Sequence, residues 1–417
     1  MTATVENLTE AGSERAFWTY WGASTASGVG SGVTGVALPL TAVLLLHAST
    51  FEMGLLAAAS YVAWLVVGLP AGAIVLRLPL RATQLRLDLV RAAAIATIPI
   101  AWWAGVLTLW QLVAVALAIS FADVFFDVAN STFLPRVVPK AKLHERNSLM
   151  SGTNAATQLG GPSLGGVLVQ TLGAASAMYV DAVSYVVSAV FLRTLPESTE
   201  STASAVSAPT GGSPLRRQIR EGWDFVTRHP VMNACMWDAT AINFVCGGQM
   251  ALFAVYLVRD AGAPAEVVGF LLASDGVGSL IGAALSPRVV RALGSARACV
   301  IAGLVAVAGA LLIPFGHHAL ACVMFVIGNI VFAAGVVIGS TATRTFRQTA
   351  TPPELLSRVM ATVRFVSWGA IPFGGLAAGV LGGWIGVRET LFVFGALAAL
   401  SPLVLVLSPV RRMRDLA

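Results

Sequence analysis

Charge is scarce in this chain. Only 11% of its 417 residues are Asp, Glu, Lys or Arg, less than half the ~25% usual in soluble proteins. So few charges could not cover the surface of a soluble domain, which excludes an ordinary cytosolic enzyme and a disordered chain. Lysine occurs only at Lys140 and Lys142. With no G-x-x-x-x-G-K-[ST] run, the sequence has no ATP-binding loop, and any work it performs must draw on an ion gradient or another protein. The four cysteines, Cys235, Cys246, Cys299 and Cys322, show neither CxxC nor Cys/His spacing. That excludes a disulfide scaffold and leaves no metal or redox motif. They read as small buried apolar residues. HExxH is missing as well, so neither an enzyme nor a cofactor is expected. A basic n-region is also lacking: Glu6, Glu10 and Glu14 precede the first apolar run, against a cleaved signal peptide.

What is present is apolar sequence, at 57% of the chain. Its runs are too long for the alternating strands of a membrane barrel. A membrane-crossing helix needs ~20 apolar residues. Such stretches fall at 17–46, 52–76, 83–104, 107–132, 146–171, 174–193, 231–258, 266–290, 296–315, 319–343, 356–380 and 387–409. The expected fold is an all-α membrane protein with twelve transmembrane helices. A Ser/Thr/Ala/Pro/Gly-rich segment that turns basic interrupts the spans at the midpoint. Residues 1–193 are therefore expected to form one six-helix bundle, 194–230 a cytoplasmic linker and 231–417 a second six-helix bundle.

Basic residues report orientation. With both termini cytoplasmic, all of the 26 except Arg259, Arg364 and Arg388 are assigned to tails, loops or span ends on the inner side. Arg77, Arg81, Arg86 and Arg91 are assigned to the turn between spans 2 and 3 and the start of span 3. The net charge of +6 is thus a topology signal, and nucleic-acid binding is not expected. The halves also repeat. Phe121-Ala122, Arg146, Gly161-Pro162 and Gly165-Gly166 recur as Phe332-Ala333, Arg358, Ile371-Pro372 and Gly374-Gly375 at a nearly constant offset. Parallel halves of this kind place a substrate site at their interface.

Several segments carry a family resemblance. They are Gly30-Ser31-Gly32 through Pro39-Leu40, Gly68-Leu69-Pro70-Ala71-Gly72 with Arg77, and Asp88-Leu89-Val90-Arg91-Ala92. Phe125-Phe126-Asp127 through Leu134-Pro135-Arg136-Val137-Val138-Pro139 and Asp181-Ala182-Val183-Ser184-Tyr185 complete the set. In order and across spans 1–12, they resemble the major facilitator superfamily, and within it the bacterial exporter branch that includes macrolide-efflux and enterobactin-export proteins. One departure stands out. The Gly-x-x-x-Asp-Arg signature has Leu76 at the Asp position, between Gly72 and Arg77. The latch that this carboxylate supplies in the family is therefore absent or is moved to Asp88 or Asp127.

The resemblance implies the major facilitator fold, with spans 1, 4, 7 and 10 lining a central cavity. Charges within spans are costly and mark candidate sites. Asp275, Asp123, Asp238 and Asp127 are the candidate proton-coupling residues. Asp123 and Asp127, four apart, share a helix face, and two carboxylates so close do not readily both ionise. Asp238 in span 7 faces either Arg364 of span 11 or an inner vestibule. Substrate contacts are assigned to Trp21, Ser31, Phe125, Asp181, Trp237, Phe244 and Gln249, apolar surface joined to a few polar groups. Gating is assigned to Gly72, Arg77, Asp88, Arg91, Pro162, Arg364 and Pro372. The expected protein is a monomer in the cell inner (plasma) membrane that exports a hydrophobic or amphiphilic small molecule in exchange for protons. Uptake, lipid-type transport and a non-transporting receptor are the alternatives.

Overall fold

The computed structural model describes residues 2–75, 78–138, 142–195 and 215–416. Arg77 lies outside the described residues, and so does its expected gating role. Among them every element is helical and no strand occurs. In chain order they are α1 Thr2–Leu44, α2 Thr50–Ala59, α3 Val62–Val75, α4 Leu80–Trp103 and α5 Leu109–Val137. Then come α6 Leu143–Leu172, α7 Ala174–Thr194, α8 Leu215–Arg228, α9 Pro230–Val255 and α10 Ala265–Leu293. The last are α11 Ser295–Leu312, α12 His318–Ala350, α13 Pro353–Ile385, α14 Val387–Leu397 and α15 Leu400–Leu407.

Ten helical stretches among the described residues are long and apolar enough to cross a membrane. Helices α4 and α6, expected as spans 3 and 5, are long enough at 24 and 30 residues but are more polar. Arg81, Arg86, Asp88 and Arg91 lie in α4, and Thr153, Asn154, Thr157 and Gln158 in α6.

The first membrane-crossing stretch, Glu14–Leu44, lies close to the expected 17–46, and helix α1 extends upstream of it to Thr2. Two expected spans are interrupted. Span 2 is broken at Ser60–Tyr61, where the Ser60 hydroxyl donates to the Leu56 carbonyl at 3.0 Å and competes with the backbone ladder. Span 12 is broken between α14 and α15. Pro402 has no N–H to return to Ala398, whose carbonyl accepts instead from the Ser401 N–H at 3.1 Å.

The chain divides into two compact units. One comprises Met1–Leu38, Pro70–Leu107 and Ala118–Gly212; the other comprises Pro39–Leu69, Thr108–Leu117 and Ser213–Ala417. The second unit thus takes in residues 39–69, which the sequence reading placed with the first six spans. Its reason is local: α2 lies on α13, where a Cβ added at Gly54 would come within 3.0 Å of Gly379 Cα.

In the first unit α1 crosses α6 at bare backbone. A Cβ on Gly32 would lie 2.7 Å from Gly161 Cα. In the second unit α9 crosses α13 in the same manner, with Gly374 seated on the Phe244 backbone and Gly247 on Ile371. Glycine at such points lets helix axes approach closely. The ends of α6 and α13 also match. Gly173 and Gly386 take left-handed φ values of 86° and 99° and pass directly into α7 and α14. Only glycine adopts that conformation without strain.

Candidate functional site

Arg91 on α4 centres a buried polar cluster in the first unit. Its guanidinium meets Asp88 Oδ1, three residues back, at 3.4 Å and Asp123 Oδ1 on α5 at 3.1 Å. Its Nη2 donates to the Ala122 carbonyl at 3.2 Å. The guanidinium also lies 4.2 Å from the Phe126 ring centroid and 5.3 Å from that of Tyr185 on α7. Ser188 on α7 donates to the other Asp88 oxygen at 2.6 Å. The Tyr185 hydroxyl shares a 2.9 Å hydrogen bond with Ser31 on α1. Asp181, a turn before Tyr185, is buried and accepts from Ser184 at 3.1 Å. The cluster therefore ties α1, α4, α5 and α7 together.

Exposure divides its members. Arg91 is 3% exposed and Asp88 fully buried, whereas the Asp123 side chain is 50% exposed. A buried guanidinium needs a carboxylate partner, and Asp88 meets that need. Asp123 adds a second carboxylate at the accessible edge of the cluster.

The sequence reading assigned Arg91 both to the start of span 3 and to gating. Helix α4 begins at Leu80, so Arg91 sits eleven residues in, on the buried face with Asp88. The signal in the sequence is an acid and a base three residues apart, Asp88 and Arg91. Tyr185, quoted only for its family resemblance, and Ser188 were missed because a lone hydroxyl in an apolar span carries no periodic mark.

The remaining first-unit candidates make other contacts. Trp21 Nε1 donates to Thr153 Oγ1 on α6 at 2.9 Å. Phe125 packs against a core that includes Phe17, Tyr20 and Phe133. Asp127 lies within electrostatic reach of Tyr20, whose hydroxyl donates to the Asn130 carboxamide oxygen. Pro162 lies inside α6, next to the Gly161 seat, and Gly72 falls within α3.

In the second unit Asp238 on α9 does not take Arg364 as its counterpart. It accepts from the Ser401 hydroxyl at 2.6 Å, and Arg347 on α12 is the cation acting on it. Arg364 on α13 lies against two indoles instead, 4.0 Å from the Trp64 centroid and 4.3 Å from Trp368. The Ser60–Tyr61 break in span 2 precedes Trp64 by less than a turn. Asp275 on α10 is exposed and has no hydrogen bond or ion pair among the described residues. It shares a helix face with Gly278 and Gly282, which rest on Ile330 and Ala334 of α12. The opposite face carries the exposed apolar side chains Phe270, Val277, Leu280 and Ile281. Trp237 is exposed, Gln249 is buried, and Phe244 stacks on Phe394 with centroids 5.6 Å apart. Pro372 lies inside α13, next to the Ile371 carbonyl on which Gly247 rests.

A family of the major facilitator superfamily described as transmembrane secretion effector matches residues 12–417. The chain belongs to this family of membrane transporters. Curated relatives of this major facilitator chain include the multidrug efflux pump Tap of Mycolicibacterium fortuitum. It is 27% identical over 403 residues, covering 95% of this chain and 96% of the relative. The uncharacterized MFS-type transporter YfiS of Bacillus subtilis is 26% identical, covering 94% and 92%. Among solved structures, the nucleoside transporter NupG has a TM-score of 0.74 at 13% identity, covering 94% of this chain and 98% of that one. A bacterial homologue of the iron transporter ferroportin reaches 0.71 at 16%, also covering 94% and 98%. At such identities these structures speak for the fold alone. The family and the relatives are transporters and not enzymes, and a transporter of this kind sits in a lipid bilayer and binds a small-molecule substrate.

Proposed function

We propose that this transporter exports hydrophobic or amphiphilic small molecules in exchange for protons, by alternating access across the inner membrane. The observation that carries the reading is the Arg91 cluster: a buried guanidinium shared by a buried carboxylate, Asp88, and a half-exposed one, Asp123. A proton arriving at Asp123 neutralises it and frees the guanidinium to draw wholly onto Asp88. That shift changes how α5 is held against α4. Departure of the proton restores the three-way contact. Asp275 and Asp238 are the further protonation candidates, Asp275 because it lies within an apolar helix and has no hydrogen bond or ion pair among the described residues. Export rather than uptake is supported by the multidrug efflux pump among the relatives. A proton moving inward gains ~2.3 kcal/mol per 100 mV, enough for one or two protons to drive a large substrate gradient.

The same proposal takes α4 and α6 as spans 3 and 5, giving twelve crossings in two six-helix repeats with both termini cytoplasmic. Its support is the recurrence of the close α1/α6 crossing at Gly32 and Gly161 as the α9/α13 crossing at Gly247 and Ile371, and of the Gly173 hinge as Gly386.

The test uses purified protein in proteoliposomes with a lipophilic dye cation and a pH-sensitive probe. Wild type is expected to move protons opposite to dye. Asp123→Asn should bind dye but lose dye-linked proton movement. Proton exchange that persists unchanged in Asp123→Asn would overturn the assignment of Asp123, and dye accumulation without any proton flux in wild type would overturn antiport.

A further inference from the structure

Helix α8 has two faces of opposite character. Gly222 and Val226 are buried and Ile219 and Phe225 half-buried; this face is seated on α13. A Cβ at Gly222 would lie 2.6 Å from Thr362 Oγ1 and 2.8 Å from the Arg358 carbonyl. Glu221 forms an ion pair with Arg358 on α13 and accepts from Arg217 at 2.8 Å. The helix is thereby held in one rotational setting. Its outer face presents Arg216, Arg217, Arg220 and Arg228, with Trp223 exposed among them. Arg217 is 70% exposed and Arg220 81%. Arg216 has no hydrogen bond or ion pair among the described residues. Only His229 separates the end of α8 from α9, a stretch apolar enough to cross the bilayer. Covalent connection therefore keeps α8 at the membrane edge, whatever the rest of the linker does.

We infer that the outer face of α8 is a docking surface for anionic phospholipid headgroups. Arginine forks match phosphate oxygens in pairs. An indole placed beside them suits the headgroup level, where one edge is apolar and the other wet. Basic residues near an anionic leaflet gain from its surface potential. Charge complementarity selects anionic over zwitterionic lipid: the arginines outnumber Glu221 and Asp224, and Glu221 is already engaged with Arg358. The lipid would brace α8 against α13, whose Arg358 is tied to the same helix. This inference does not rest on the export reading, since it concerns a surface and not the transported molecule.

Brominated lipids quench tryptophans that they touch. The full-length protein is placed in nanodiscs containing brominated phosphatidylglycerol or, at equal content, brominated phosphatidylcholine. The quenching lost on Trp223→Phe isolates the Trp223 signal. That signal is expected to be at least several-fold larger with phosphatidylglycerol and to fall to the phosphatidylcholine level in the R216Q/R217Q/R220Q variant. Equal quenching by both lipids would overturn headgroup recognition, and absence of quenching by either would overturn contact with the bilayer. Unfolding temperatures of the variants in phosphatidylcholine nanodiscs, expected to match wild type, separate loss of lipid contact from loss of fold.

Discussion

Helices α4 and α5 of the first unit and α11 and α12 of the second occupy matching places in the proposed repeat, yet opposite means hold them. The first pair is joined by charge: Arg91 reaches across to Asp123 and the Ala122 carbonyl. The second is joined by bare backbone. Gly309 rests against Phe332 and Gly328, and Gly335 against Ala302 and Ala306. A contact made of charge can be altered by one proton. A contact made of glycine and alanine offers a proton nothing to act on and can change only by sliding or separating. The difference sets a titratable seam between α4 and α5 against close backbone packing at the corresponding seam of the second unit.

The largest expected effect comes from removing the centre of the charged seam. Arg91→Met leaves Asp88 buried without its cation, and breaking such a pair from one side costs about 3–5 kcal/mol. The unfolding temperature in detergent should fall sharply, and Arg91→Met/Asp88→Asn should recover a large part of the loss. A single variant as stable as wild type would remove the basis of the comparison. On the other seam, Gly335→Leu forces a side chain into a site where even a Cβ would lie 2.6 Å from the Ala302 carbonyl. Overpacking of this kind costs about 1–3 kcal/mol. Its signature is loss of stability with no companion carboxylate whose removal restores it.

The two seams were unequally legible in the sequence. The all-helical membrane fold followed from apolar run lengths and charge scarcity, which depend on composition over ~20 residues and tolerate local error. The acids within spans stood out because each is costly there. Arg91 stood out as a gating candidate beside Asp88, but not as the partner of Asp123. Its role depends on Asp123, thirty-two residues away on another helix, and such a pairing has no periodic trace. The break at Ser60–Tyr61 was hidden because it turns on one local hydrogen bond, whereas the break at Ala398–Ala399 had a visible mark in Pro402. Arg364 shows the same limit. Its spacing invited an acid partner, whereas the seat is made of Trp368, four residues on in the same helix, and of Trp64, which meets it through tertiary packing.

That aromatic seat gives the next prediction. Trp64→Leu removes one of the two indoles over the Arg364 guanidinium, a contact worth about 1 kcal/mol where partly exposed. A modest fall in unfolding temperature is expected, smaller than that of Gly335→Leu, and a double-mutant cycle with Arg364→Gln should show positive coupling. Additive losses would show that the cation–ring contact contributes nothing beyond packing.

The smallest stability effect is expected at Asp123, although it belongs to the same cluster as Arg91. Its side chain is half-exposed, and exposed ion pairs are worth about 0–1 kcal/mol. Arg91 keeps Asp88 and the Ala122 carbonyl when Asp123 is changed to Asn, so no buried charge is left alone. The unfolding temperature of Asp123→Asn should lie close to wild type, and raising salt should narrow the remaining gap, since an accessible pair is screened. Asp88→Asn, by contrast, removes the buried partner and should destabilise more, with little response to salt. If Asp123→Asn and Asp88→Asn prove equally damaging and equally insensitive to salt, the cluster behaves as one buried unit and Asp123 cannot serve as its switchable edge. If they separate as expected, stability is assigned to the buried pair and exchange to the exposed acid, which is the division of labour that a proton-driven change at α4 and α5 requires.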